Sequence, residues 1–412
     1  MHESIEAQVG QSLFNYQAAL TESGSSLGEF IRSDYIGKWL GDSLYHALAI
    51  RTTLVNALQT HLTREGLLNL ERVTMSPVTD PLSHDVEHTP SIRYKGQIYV
   101  TTHSMIYCKL LSMFNRKIRG IYVDSPNIRL EMESPNRVQR GRYLIDFSQM
   151  DIEVRRERGI DLDTYLYQTE KVRKALREDH ERALDFFERL VVAAAAAICE
   201  TNEENLKGLG VSLEVPKTPF PRFRRDEAVK KLGTRAIERP LGETVKGQFF
   251  WITGLMRENY DLIYPYLKPD GGKVPLSEFD SEMIYNYDLC IRSRRRSGSS
   301  YGPAFEVMSG GLREWLYEAI VERLIDNKIL GVRPKIDGDS ILNIDELGGY
   351  GPFLLAAFQK DDQGKPLFPE TFGGGLGIER SLFALCHGEK IKQVDQVTFF
   401  GKNPDSYPLY LF

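Results

Sequence analysis

The chain has 412 residues, a net charge of −5, 42% hydrophobic residues and 26% charged residues. That is an ordinary soluble balance, long enough for one large core or two domains. The acidic balance argues against a protein whose main task is gripping nucleic acid, because phosphate contacts need a basic surface. Cys108, Cys199, Cys290 and Cys386 are far apart, with no CxxC and no metal-ligand spacing, and read as reduced thiols of a cytoplasmic protein. The start carries no basic-plus-apolar signal segment, and the Ala-rich run near Ala193 is too short to span a membrane.

Residues 1–44 form an N-terminal extension broken by Gly24 and Gly28, with no task assigned to it. From residue 45 to 63 apolar residues recur at helical spacing until Gly66 ends the helix, and LLNLERVTMSP reads as a strand running to Pro77. VTDPLSHD is a Pro/Asp/Ser turn. Tyr94 to Val100 reads as a strand, and THSMIYCKLLSMF as a strand-to-helix transition whose Lys109 would ordinarily snorkel to solvent. Between Ser125 and Val154, Ile128 and Leu130, then Ile145, Phe147, Met150 and Ile152, interleave with charged residues around a loop containing Pro135, Asn136 and Gly141. This predicts two antiparallel strands joined by a long hairpin, with the charged face solvated if the stretch stood alone.

Further on, residues 160–200 read as one long charged helix ending in an Ala-rich segment. Residues 201–245 read as an inserted or peripheral unit with a basic turn-then-helix, PFPRFRRDEAVKKLG, and WITGLM reads as a strand. Residues 285–315 have strand-like flanks around a basic Ser/Gly hairpin. Its run Arg292, Arg294, Arg295 and Arg296 is most simply a solvated loop, or else meets a polyanion. WLYEAIVERLI is an amphipathic helix, and residues 330–370 are rich in Gly, Asp and Pro. Finally TFGGGLGIERSLFAL runs glycines into a helix bearing Arg380. It lacks the Lys-Ser/Thr of a P-loop, and no βαβ unit follows, which disfavours the common nucleotide folds.

The hairpin and the glycine-to-helix stretch together resemble motifs 2 and 3 of the class II aminoacyl-tRNA synthetase catalytic core, in its aspartate/asparagine/lysine branch. The narrower resemblance is to the archaeal-type asparagine synthetases related to aspartyl-tRNA synthetase. It covers residues 45–160 and 280–400. The resemblance implies an α+β fold, an antiparallel sheet flanked by helices in one catalytic domain over residues 45–412. It implies no anticodon-binding barrel, since residues 1–44 are too short for one. It also implies a homodimer built through the helix and strand near residues 45–80. Position 106 is Ile, where aspartyl-tRNA synthetases typically carry glutamine, a departure that speaks against tRNA as a partner; Lys109 stands where asparagine-specific relatives carry an acid and favours aspartate over asparagine as the substrate.

The site residues follow from the same resemblance. Arg129 takes the α-phosphate of ATP and the incoming carboxylate, and Arg380 the γ-phosphate. Phe147 stacks on adenine, Glu131 accepts from its amino group, and Arg142 and Gly377 help hold the nucleotide. Glu306 and Ser309 supply hard oxygens suited to Mg²⁺, and Arg313 binds the amino acid. Lys109 and Arg313 are expected to hold the α-carboxylate of aspartate, with Asp151 and Gln149 accepting from its ammonium. The β-carboxylate is then adenylated and passed to ammonia, giving asparagine, AMP and pyrophosphate; the alternatives are the same adenylation of aspartate or a close analogue with a different amine acceptor, or a paralogue that charges a tRNA or carrier. Arginines suit the work because they stay charged and bind phosphate and carboxylate bidentately.

Overall fold

The structure, a computed structural model, describes residues 20, 24, 26–80, 89–132, 141–157, 159–256, 260–275, 278–296 and 300–405. Pro135 and Asn136 of the hairpin loop, the second half of the VTDPLSHD turn and most of the N-terminal extension lie outside the described residues.

One nine-stranded sheet organises the chain. Its strands are β1 (Leu68–Asn69), β5 (Gly120–Ile128), β6 (Asp146–Arg155), β7 (Val211–Ser212), β8 (Arg222–Arg224), β9 (Phe249–Thr253), β10 (Asn286–Arg295), β11 (Tyr301–Leu312) and β14 (Thr371–Gly377). The order is β1-β5-β6-β14-β11-β10-β9-β8, with β7 pairing β10. Only β1/β5 and β8/β9 are parallel. A small sheet β2-β4-β3, from Met75–Ser76, Gln97–Thr101 and Ser91–Tyr94, sits apart from it, as does a two-stranded pair of β12 (Ile336–Asp337) and β13 (Ser340–Ile341). Residues 201–245 supply β7 and β8 to the large sheet and three short helices around them.

Period-2 alternation divides the large sheet into two faces. Met150, Ile152, Met308 and Leu376 are buried on one face. The core they join includes Val172, Leu176, Leu184, Phe187, Leu190, Val191, Ala194 and Ile198 of the Thr169–Thr201 helix. Those helical positions recur every three or four residues, which builds one apolar stripe. The Asp42–Arg64 helix lies against it and presents Leu44, Ala47, Ile50, Leu54, Leu58 and Leu62. The Ile378–Cys386 helix, buried through Leu382, Phe383 and Leu385, fills the space between that helix and the sheet.

The opposite face carries Gln149, Asp151 and Glu153 on β6, paired with Gly377, Gly375 and Gly373 on β14. Opposed residues share a face, so each polar side chain lies over a residue that has none. A Cβ at Gly373 would run into the Glu153 carboxylate, and one at Gly375 would come within 3.3 Å of the Gln149 side chain. The glycine run is therefore the floor on which a buried polar row rests.

The structure departs from the sequence expectations in four places. The single strand expected over Tyr94–Val100 is a hairpin, because Lys95 and Gly96 both take positive φ (50° and 78°) and turn the chain between β3 and β4. The strand expected to run from residue 67 to Pro77 is reduced to β1 and β2, since only Leu68 and Asn69, with β5, and Met75 and Ser76, with β4, find strand partners. The helix expected over residues 160–200 is two, Leu162–Tyr167 and Thr169–Thr201. Last, the charged face of the hairpin is not solvated: Asp151 is 1% and Glu153 0% exposed.

Gly310 tests the close approach of strands on this sheet, since a Cβ there would meet the Gly373 carbonyl and the Tyr287 ring. Gly310→Ala is expected to lower unfolding free energy by about 1–3 kcal/mol, read by urea denaturation. An unchanged midpoint would contradict that packing.

Candidate active site

All twelve residues that the sequence singles out line one cleft above the polar face of the sheet: Lys109, Arg129, Glu131, Arg142, Phe147, Gln149, Asp151, Glu306, Ser309, Arg313, Gly377 and Arg380. The cleft encloses about 1170 Å³ of empty space, its open mouth included. Three strands, β6, β11 and β14, and two helices contribute, together with the loops between them, so residues more than 250 positions apart in sequence meet there.

One end is a buried ion network. Lys109, on the Ile106–Ser112 helix, is 2% exposed, and its Nζ donates to Asp151 Oδ1 at 2.6 Å and lies 4.0 Å from Glu153 Oε2. It does not snorkel. Arg313 donates through Nη1 to Asp261 Oδ1 at 2.8 Å and through Nε to Glu153 Oε1 at 3.2 Å. Thr371 Oγ1 also donates to Glu153, at 2.6 Å, and Asn286 Nδ2 to Asp261 Oδ2, at 3.0 Å. Burial opposes the charge of Arg313, but Glu153 and Asp261 outweigh it and drive its pKa upward, so it stays a cation throughout the working range. A lone buried cation costs several kcal/mol, and these carboxylates offset that cost while fixing each rotamer. Asp151 Oδ2 and Gln149 Oε1 are both buried with no hydrogen-bond partner among the described residues. Two orphaned acceptors side by side on β6 suit a donor with several protons, such as an ammonium.

At the other end lie three arginines and their aromatic partners. Arg129 donates to the His103 carbonyl from Nε and Nη2, at 3.0 and 2.9 Å, and its guanidinium lies 5.1 Å from the Phe147 ring centre. One face of Phe147 is therefore covered by Arg129. Arg380 lies 4.9 Å from the Tyr143 ring centre, with Nη1 4.0 Å from Glu306 Oε1. Arg142 packs 4.8 Å from the Phe305 ring centre and 3.5 Å from Glu238 Oε2. Burial and the charge of Glu306 push the Glu238 carboxyl up, partly countered by Arg142 and Arg380.

Glu306 and Ser309 would point to opposite faces of a regular strand. The pairing of β10 with β11 shifts between Leu289 and Cys290, so Met308 opposes Leu289 while Glu306 opposes Cys290. The extra residue, Val307, is a bulge that brings Glu306 and Ser309 to the same cleft. One carboxylate and one hydroxyl are hard donors, and they fit a Mg²⁺ ion that keeps phosphate and water in its other positions.

Sequence reasoning missed the residues that hold this set in place. Glu153 and Asp261 fix Arg313. Asp80 Oδ2 accepts from Ser104 Oγ at 3.1 Å and Tyr260 OH at 2.9 Å. Glu379 accepts from Ser148 N at 2.8 Å and Arg51 Nη2 at 3.2 Å, tying the Ile378–Cys386 helix to β6. Glu153 carried a signal, the same alternation as Gln149 and Asp151; Asp261 carried none, lying between the recognised stretches.

No protein-family model matches the chain. Over 226 residues, 53% of the chain, it is 30% identical to an aspartate–tRNA(Asp) ligase of Pyrococcus furiosus, and covers 44% of that protein. Over 359 residues, 84% of the chain, it is 24% identical to an aspartate–tRNA(Asp/Asn) ligase of Methanothermobacter thermautotrophicus, covering 64% of it. Among solved structures, the asparaginyl-tRNA synthetase of Pyrococcus horikoshii complexed with asparaginyl-adenylate superposes with a TM-score of 0.59 at 15% identity, over 93% of this chain and 74% of that one. The asparaginyl-tRNA synthetase of Entamoeba histolytica gives 0.60 at 14% identity, over 92% and 71%.

The fold is that of the class II aminoacyl-tRNA synthetase catalytic core, an antiparallel-rich sheet flanked by helices, with no closed barrel among the described residues. The chain is homologous to aspartate–tRNA ligases, and spans about half the length of the curated relatives it matches first. These relatives are tRNA ligases, so the expectation that tRNA is not a partner has no support from them, and no ammonia ligase stands among them. No helix among the described residues is long and apolar enough to cross a membrane.

Glu314, next to Arg313, gives the site a pH signature. It is 1% exposed, and burial pushes its carboxyl up to about 7, with Arg323 pulling the other way. A folded-state pKa above the unfolded value of about 4.5 means the native state keeps a proton that the unfolded state releases. Stability from this group is therefore full below about pH 4.5 and is lost as pH rises towards 7. Glu314→Gln is expected to flatten that part of the pH–stability curve, measured by urea denaturation from pH 5 to 8. The same slope in both proteins would contradict it.

Proposed function

We propose that the chain is an AMP-forming ligase that activates L-aspartate with ATP, releasing pyrophosphate, and passes the aspartyl group to a tRNA. The observation that carries this reading is the polarity of the single cleft. Two fixed cations and two orphaned acceptors lie at one end, three arginines at the other, Arg129 on the Phe147 ring, Arg380 on Tyr143 and Arg142 on Phe305. An amino acid with a side-chain carboxylate fits the first end, and a nucleotide triphosphate the second. The homology to aspartate–tRNA ligases supports both the substrate and the acceptor.

In this reading Lys109 and Arg313 hold the side-chain carboxylate, which is the charge that separates aspartate from asparagine. Asp151 Oδ2 and Gln149 Oε1 accept from the ammonium. The α-carboxylate then points to the α-phosphate. Its oxygen bonds to the α-phosphorus as the bond to the bridging oxygen of the pyrophosphate breaks. Arg129 neutralises charge where the two anions meet, and Arg142 and Arg380 hold the departing phosphates. Phe147 packs on adenine through its ring, and Glu131 accepts from the adenine amino group. A Mg²⁺ held by Glu306 and Ser309 would add positive charge on the phosphates. The protein's share is alignment and charge stabilisation rather than covalent chemistry.

A second reading is that of the sequence alone, adenylation of the β-carboxylate and amide formation with ammonia or another small amine. Ile106 favours it, an apolar side chain lining the cleft where aspartyl-tRNA synthetases are expected to carry glutamine. The two readings place opposite carboxylates against ATP.

Aspartate-dependent exchange of pyrophosphate into ATP is the expected activity. Arg129→Ala and Arg380→Ala should each lower kcat/KM by about 10²–10³-fold, the loss typical of one transition-state donor. No aspartate dependence would refute the substrate. Trapping with hydroxylamine separates the readings: the α-hydroxamate follows from tRNA charging, the β-hydroxamate from asparagine formation.

A further inference from the structure

A second cleft opens beside the first, and Arg142 lines both. On the same measure of empty space it is about 1340 Å³. Its charge is one-sided. Arg239, Arg292, Arg295 and Lys392 line it together with Arg142, against the single carboxylate of Glu243. That carboxylate is engaged, lying 3.3 Å from Arg239 Nε. Among the described residues, neither Arg295 nor Lys392 has a carboxylate at ion-pair distance.

The default reading of the arginine run, a solvated loop, holds for Arg295 and Arg296, which are exposed, but not for Arg292. Arg292 is 3% exposed and its guanidinium is bound to backbone carbonyls, including that of Val245 at 2.7 Å, with its centre 4.1 Å from the Tyr301 ring. Arg294 and Arg296 are turned away, paired with Glu214 and Glu203. Only Arg295 of the run's outer residues faces the cleft. The floor is apolar, made by Pro303, Phe305 and Phe383. His387 lies on it, 5.4 Å from the Phe305 ring and 5.3 Å from the Phe383 ring. Burial first, then Arg142 and Arg295, hold His387 below its ordinary pKa. Cations gathered over a low-dielectric wall concentrate field lines and attract an anion.

We propose that this second cleft is a binding site for a phosphate-bearing ligand other than ATP, joined to the nucleotide cleft through Arg142. Arg295 and Lys392 supply the new contacts, and the ring of Tyr301 gives an edge against which a base or sugar packs. The phosphate could be carried by the pyrophosphate released in the first cleft or by a nucleic-acid acceptor strand. The chemistry of recognition is the same for both. The site rests on its own residues, although the two sources follow from the proposed function.

The test uses the full chain with no amino acid present. Inorganic pyrophosphate and a short single-stranded RNA oligonucleotide are titrated separately while the His387 ring resonances are followed by NMR. At least one probe should shift them saturably. Arg295→Glu and Lys392→Glu, which lie outside the nucleotide cleft, should each weaken that binding by at least about fivefold. Unchanged circular dichroism and melting show that the variants fold. Preference for pyrophosphate assigns the product, and preference for the oligonucleotide, with a steep salt dependence, assigns an acceptor strand. Resonances that neither probe moves, or affinities that both substitutions leave unchanged, would overturn the proposal. Loss of aspartate-dependent exchange alone would not touch it, so the two failures are distinguishable.

Discussion

Everything in the cleft depends on burying cations without leaving them unpaired. Lys109 and Arg313 are each 2% exposed, and both are held there by the buried carboxylates of Asp151, Glu153 and Asp261. Those carboxylates in turn need room, which the glycines of β14 and β11 supply. One constraint thus runs from the backbone of a glycine-rich strand to the rotamer of an arginine that lines the cleft. The carboxylates do more than offset charge. They aim two cations at a point and leave one acceptor of Asp151 unfilled beside that of Gln149.

The arginines at the other end are held differently. They rest on rings and carbonyls, with only looser carboxylate contacts: Arg129 on Phe147 and the His103 carbonyl, Arg380 on Tyr143 with Glu306 at 4.0 Å, Arg142 on Phe305 with Glu238 at 3.5 Å. Such contacts position a guanidinium while neutralising little of its charge. That suits a polyanion arriving and leaving, whereas the end proposed for the amino acid suits a smaller charge held tightly. The two halves of the cleft differ in the strength with which their cations are already engaged, and this difference matches the difference between the two substrates proposed.

The fold was legible because its signals are local. Helical spacing over residues 45–63 and the strand–hairpin–strand patterns at 125–154 and 285–315 each fall within a short window, and they appear as elements close to those bounds. The resemblance to known motifs then linked windows that periodicity cannot connect. What stayed hidden depends on tertiary placement. A charged strand face reads as solvated until the glycine strand beside it is known. The bulge at Val307 decides whether Glu306 and Ser309 meet, and nothing in EVMS announces it. Asp261 becomes informative only when Arg313 lies 2.8 Å away. Arg292 was indistinguishable from its neighbours in sequence, yet it is buried while Arg295 is exposed. The acidic net charge gave no sign of the basic cleft, because it averages over the whole surface.

The central claim is that Lys109 and Arg313, locked by buried carboxylates, read the side-chain charge of aspartate. Calorimetric binding of L-aspartate and L-asparagine to the intact chain tests it most directly. Loss of one charge-assisted bidentate contact is worth about 1.5–3 kcal/mol. The account therefore predicts that asparagine binds at least about tenfold more weakly than aspartate. Equal affinity, or a preference for asparagine, would contradict it.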